Sequence, residues 1–196
     1  MYAQVSTHVT LLNRLVDGSD LSAWTDFHRR YGELIRGFAR RRGAQDADCD
    51  DVLQDVLVSL TRAMPQFSYD PQRGKFRSFL KTVVDRAVYK KLRQNPPDSS
   101  LDAFDGYDAI GEGDGDADAA WESEWRHYHI RQAMQTIDVE FNQSDRLVFR
   151  HYVVGGKAPG ETAELLGVTI NQVYKAKSNI LKRLSELIAR QVEEEG

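Results

Sequence analysis

Four aspartates, Asp48, Asp50, Asp51 and Asp55, fall within eight residues of one another and raise the question of a divalent-cation site. A hard cation needs several oxygen ligands converging from more than one element. The five histidines, His8, His28, His127, His129 and His151, are scattered, and none is expected at a ligand spacing to a carboxylate such as Glu-x-x-His. There is no Ser, Thr or Cys nucleophile motif and no glycine-rich loop after a strand to cradle a phosphate. The expectation is therefore a protein that is not an enzyme, with no catalytic residues, no metal and no cofactor. The acids are read as complements to the positive end of a helix and as a protein-binding surface.

A second set of residues suits nucleic acid. Phe67, Tyr69 and Arg73 stand in the loop from Pro65 to Gly74, and Lys75, Arg77, Lys81, Arg86 and Lys90 follow on a cationic helix. Single strands are held by bases stacked on aromatic rings along a positive groove, each stack contributing roughly 1–3 kcal/mol. From Lys75 to Arg93 there are seven Lys or Arg against one acid, Asp85, whereas Asp98 to Glu124 holds ten acids and no Lys or Arg. The formal net charge of −4 thus averages two segments of opposite sign.

A third set lies between Lys157 and Leu187, which reads as a helix-turn-helix. Ala163, Leu165 and Leu166 give a short first helix its apolar side, and Gly167 can turn with positive φ without steric cost. Thr169 and Gln172 form a capping box, and Val168 and Val173 a hydrophobic staple. Ile170, Val173, Ile180, Leu181, Leu184, Leu187 and Ile188 then recur at helical spacing. That leaves Asn171, Gln172, Tyr174, Lys175, Ser178 and Lys182 to face outward, where they suit base edges in a major groove, with Lys177, Lys182 and Arg183 nearer phosphates.

Helices must hold these sets in place. Leu11, Leu12, Leu15 and Val16 predict a short helix. Ser19 or Asp20 caps a second that keeps period from Trp24 to Phe38 and stops at Gly43. A third starts among Asp46 to Asp51 and stops at Pro65, and a fourth runs from about Lys75 to Arg93. After Asn95-Pro96-Pro97 an Asp/Gly-rich stretch reads as a flexible acidic linker. Trp121 and Trp125 lead into a helix through Ile137, another follows from near Ser144 to Gly155-Gly156, and Glu193 to Glu195 read as a frayed tail. The fold class is all-α: two small helical domains, 1–95 and 126–196, joined by an acidic linker over 96–125. With 41% hydrophobic residues, each domain has a modest core. The lone Cys49 excludes an intrachain disulfide and a thiolate zinc cage, and no apolar run approaches the ~20 residues of a membrane span. A cytoplasmic protein without membrane insertion is expected.

Together these residues resemble a bacterial RNA polymerase sigma factor of the extracytoplasmic-function type (group IV), over nearly the whole chain outside the linker. Asp50-Asp51-Val52-Leu53-Gln54-Asp55-Val56 is similar to the family's acidic helix that docks on the clamp of the polymerase β′ subunit. The resemblance implies core contact through Asp50, Asp51, Gln54 and Asp55, and contact with the β subunit as well. Phe76-Arg77-Ser78-Phe79-Leu80 is similar to the family's Phe-x-x-Trp-Leu entry to the helix that opens and reads the minus-ten element, with Phe79 in place of Trp. Phe67, Tyr69, Arg73, Lys75, Arg77, Lys81, Arg86 and Lys90 would serve that element and its melted strand. The helix-turn-helix would read the minus-35 element through Thr169, Asn171, Gln172, Tyr174, Lys175, Lys177, Ser178 and Lys182. Arg86, Lys90 and Asn179 depart from the common pattern, which bears on promoter sequence rather than fold. Core RNA polymerase, promoter DNA and an anti-sigma protein are the implied partners.

Two other readings predict different behaviour. A stand-alone helix-turn-helix regulator would bind duplex DNA specifically without polymerase. A metal-dependent nuclease built on Asp48 to Asp55 would bind magnesium or manganese stoichiometrically.

Overall fold

The computed structural model describes residues 8–17, 20–66, 76–94 and 115–195, and within them every regular element is helical. Eight α-helices occur among the described residues: α1 (His8–Val16), α2 (Leu21–Arg41), α3 (Asp46–Ala63), α4 (Phe76–Gln94), α5 (Gly115–Glu140), α6 (Gln143–Phe149), α7 (Pro159–Leu166) and α8 (Ile170–Glu195). They form two compact units, residues 1–128 with 194–196, and residues 129–193.

Local signals set most helix ends. The Asp20 carboxylate accepts from the Ala23 N–H at 3.0 Å and starts α2. The same carboxylate accepts from Arg14 Nε at 2.9 Å and from Ser22, and these bonds, the Arg14 bond foremost, hold its pKa well below the usual carboxylate range. Asp46 and Asp48 lie in the first turn of α3, and Met64–Gln66 tighten to a 3-10 turn around Pro65, which has no N–H to continue the ladder. Asn142 caps α6 by accepting from the Asp145 N–H at 2.9 Å.

The core of the first unit joins Leu11, Leu12 and Leu15 of α1 to Phe27, Tyr31, Leu34, Ile35 and Phe38 of α2, Val52, Val56 and Leu60 of α3, and Phe76, Leu80, Val84 and Val88 of α4. Trp121, Trp125 and Tyr128 of α5 complete it. Trp121 packs edge-on against Phe38 with centroids 5.3 Å apart, and Tyr128 stacks on Tyr31 at 5.2 Å. Residues 115–125 are therefore helix rather than linker. The Asp/Gly-rich composition cannot bury a face alone, but one Trp per turn docked on α2 orders it.

The second unit packs Ala133 and Ile137 of α5 with Phe149, Ile180 and Leu187, and beside them Val148 with Ala163, Val173 and Ala176. Between α6 and α7 the chain widens to a π turn, Arg150–Val154, in which the Gly155 N–H donates to the Arg150 carbonyl at 2.8 Å. Arg183 clasps Glu140 through two hydrogen bonds of 2.7 Å.

Two further expectations are corrected. Glu195 is buried rather than frayed: its carboxylate accepts from the Tyr128 hydroxyl at 2.6 Å and pairs with Arg30, with burial still raising its pKa. Leu165, Ile170 and Leu181 are exposed, because the two small clusters of this unit are filled by Ala163, Val173, Ala176 and Ile180. No helix among the described residues is long and apolar enough to cross a membrane.

Candidate functional site

On α3 the helical period places Asp51, Gln54 and Asp55 on one exposed ridge, with Asp50 at its edge. Their inward neighbours Val52, Leu53 and Val56 are buried, so this polar face is the one left to solvent. Each acid has a basic counterpart on another helix. Asp50 accepts from Arg36 Nε of α2 at 2.7 Å, Asp51 from Lys91 of α4 at 2.6 Å, and Asp55 from Lys90 of α4 at 2.8 Å. Asp48 also holds Lys91 at 2.9 Å, and the bonds from Asp51 and Asp48 raise the Lys91 pKa above its ordinary value. Asp50 and Asp51 remain about 60% exposed (62% and 59%), so the ridge still presents carboxylate oxygens outward. Val58, one turn beyond Gln54, continues the ridge as an apolar side chain left 49% exposed. The sequence reading missed it, although its place four residues after Gln54 is legible in the period.

Of the residues assigned to single strands, Phe67, Tyr69, Arg73 and Lys75 lie outside the described residues. The other four do not share a face. Arg86 and Lys90 each follow Arg77 and Lys81 by nine residues, which at 3.6 residues per turn is half a turn around α4. Arg77 and Lys81 face α5: Arg77 pairs with Glu122 and stacks its guanidinium over the Trp125 ring at 5.1 Å, and Lys81 reaches Asp118 at 3.0 Å. Burial works against the Lys81 charge, but the Asp118 and Asp85 carboxylates outweigh it and raise the pKa. Arg86 and Lys90 are exposed on the opposite side, Lys90 beside Asp55.

Glu124 and His127 do stand at Glu-x-x-His spacing on α5, with Nδ1 and Oε1 3.8 Å apart. The Glu124 carboxylate, however, is buried and engages Arg41 at 2.5 Å. Among the described residues no three of His, Cys, Asp and Glu converge to hold a metal.

In the second unit the helix-turn-helix forms as its residues dictate. Gly167 adopts φ +64°, in the left-handed region, and turns the chain out of α7. The Thr169 N–H donates to Gln172 Oε1 at 2.7 Å and the Gln172 N–H donates to Thr169 Oγ1 at 3.2 Å, a reciprocal capping box that starts α8. Asn171, Tyr174, Lys175, Ser178 and Lys182 share one exposed stripe of α8, and Thr169 and Gln172 are exposed at its start. Lys177 is half-buried, its ammonium 5.0 Å from the centre of the Tyr152 ring, against which Tyr174 packs edge-on at 6.0 Å. Tyr152 was read only as part of a helix. Its place on the π turn, opposite α8, is a tertiary fact with no local signal.

Residues 27–96, which span most of α2 and all of α3 and α4, match the family model of Sigma-70 region 2. The first unit thus contains a segment similar to Sigma-70 region 2. No curated protein matches the chain. Among solved structures it is similar to that of CnrH in complex with the cytosolic domain of CnrY, at 20% identity and a TM-score of 0.37 over 92% of this chain and 96% of that one.

Proposed function

We propose that this chain is a sigma factor of the extracytoplasmic-function type, which binds core RNA polymerase and directs initiation at promoters carrying its minus-35 and minus-ten elements. The observation that carries the reading is the Sigma-70 region 2 match over 27–96, because the acidic ridge of α3 and the cationic helix α4 both fall inside it. In this reading Asp50, Asp51, Gln54, Asp55 and Val58 meet the β′ clamp. The segment from Phe67 to Lys90 captures the melted minus-ten strand, where unstacking costs a few kcal/mol per base and aromatic stacking returns roughly 1–3. The terms nearly balance, so melting requires core polymerase as well.

The capped α8 is the reader of the minus-35 duplex through Asn171, Tyr174, Lys175 and Ser178. The Gln172 carbonyl oxygen is committed to the cap, so this side chain offers the groove only its amide donors. The modules divide as minus-ten and core binding before the acidic stretch and minus-35 binding after it. An anti-sigma protein that covers the polymerase-binding surface in the cytoplasm is the regulatory partner that fits this reading.

Run-off transcription with purified core on a randomised promoter library tests it. The chain should enrich one bipartite promoter class, and Asp51→Ala with Gln54→Ala should abolish enrichment by preventing core capture. Specific duplex binding by the protein alone, with no effect of core, would favour the stand-alone regulator.

A further inference from the structure

Arg77 and Lys81 stand four residues apart on α4, and Asp118 and Glu122 stand four residues apart on α5. The structure pairs them crosswise, Arg77 with Glu122 and Lys81 with Asp118, so the two helices run in opposite directions along this contact. The acids occupy the outer rim, 59% and 57% exposed, while the cations beneath them keep only 26% and 20%. Resting on the reading of α4 as a nucleic-acid surface, we propose that the first two turns of α5 are a built-in competitor for the single strand. Asp118 and Glu122 hold Arg77 and Lys81 until backbone phosphates displace them.

The construction suits reversible release. Trp121 and Trp125 are buried at 2% and 3% exposure and keep α5 on the core, whereas the turn before them contributes only Ala117 to the buried set. A helix end with so little burial frays readily, and ion pairs this exposed are weak and screened by salt. Displacement therefore needs side-chain rotation and one turn of fraying, with the aromatic anchor left in place. A competitor of this kind lowers apparent affinity by the fraction of molecules in which the cations are free. Arg86 and Lys90, on the far side of α4, are outside its reach.

The test is fluorescence anisotropy of a labelled single-stranded oligonucleotide titrated with the full chain over a salt series. Asp118→Asn with Glu122→Gln should bind about tenfold tighter than wild type and lose affinity more steeply with salt, because no displaced carboxylates take up cations as the strand releases them. Asp138→Asn with Glu193→Gln removes the same charge elsewhere and should change affinity less than twofold. Should the first pair lower the melting temperature, Asp118→Asn alone serves in its place. Equal tightening by both pairs, or none by the first while Arg77→Ala with Lys81→Ala weakens binding, overturns the competitor and leaves the α4 surface standing. If Arg77→Ala with Lys81→Ala has no effect either, the surface itself is wrong and the competitor falls with it.

Discussion

The carboxylate of Glu124 on α5 fills the space that a side chain at Gly37 on α2 would occupy: its Cδ lies 2.7 Å from where a Cβ would stand. Gly37 is thus required by a neighbour rather than by its backbone. In a helix interior Gly→Ala ordinarily gains about 0.5–1 kcal/mol. Here Gly37→Ala must push a buried carboxylate off Arg41, and a net loss of about 1–2 kcal/mol is expected. In a Glu124→Ala background the same substitution should stabilise by about 0.5 kcal/mol. Urea denaturation of the four proteins of this cycle measures the coupling, and simple additivity would show that the two residues do not compete for space.

Gln172 carries two roles that substitution can separate. Gln172→Glu keeps an oxygen for the Thr169 N–H and adds a negative charge at the start of α8, so the unfolding midpoint should hold or rise slightly. Binding to a minus-35 duplex should nonetheless weaken at least tenfold, because a carboxylate replaces the amide donors. Gln172→Ala should cost about 1 kcal/mol of stability as well as binding. Retained duplex affinity in Gln172→Glu would remove this position from the reading surface.

Val58 separates contact from folding on α3. Being 49% exposed, it should tolerate Val58→Ser with a stability change within about 0.5 kcal/mol. Capture of core polymerase in a pull-down should fall at least fivefold, in line with loss of an apolar contact at an interface centre. Wild-type capture would limit the docking ridge to the polar residues.

The Glu140–Arg183 clasp makes stability depend on pH. The Arg183 guanidinium, by hydrogen bonding first, holds the Glu140 carboxyl below its ordinary 4.5. A depressed folded-state pKa means that protonation is easier in the unfolded chain. The contribution is complete above about pH 4.5 and is lost as pH falls through the lower folded value. Denaturation midpoints measured between pH 7 and 3 should decline at the acid end, and Glu140→Gln should flatten that part of the decline. An unchanged slope would assign the acid sensitivity to other carboxylates.

Legibility followed how local the physics was. The Thr169–Gln172 box, the Gly167 turn and the Asp20 cap need only a few consecutive residues, so the helix-turn-helix and the start of α2 could be read directly. The acidic ridge of α3 was readable as a period. The start of α5 was not, because Gly115 to Ala120 becomes helical through burial of Trp121 and Trp125 and through ion pairs with α4. Yet the two i,i+4 pairs of opposite sign, Arg77/Lys81 and Asp118/Glu122, were a visible hint. Burial of Glu195 depends on Tyr128 and Arg30, far away in sequence, and no tail composition announces it. The half-turn separation of Arg86 and Lys90 from Arg77 and Lys81 was written in the numbering but obscured by counting charge alone.

The widened turn at Arg150–Val154 holds one residue more than an α turn would. Such a turn amounts to a single-residue insertion absorbed without breaking the helix, and it rotates everything after it by about 100°. Excising one residue there would return the segment to regular winding and swing the Tyr152 ring away from Tyr174 and Lys177. The aim of the α8 surface is therefore set partly by the phase of a neighbouring helix, and homologues that lack the extra residue would need a different aromatic partner at this spot.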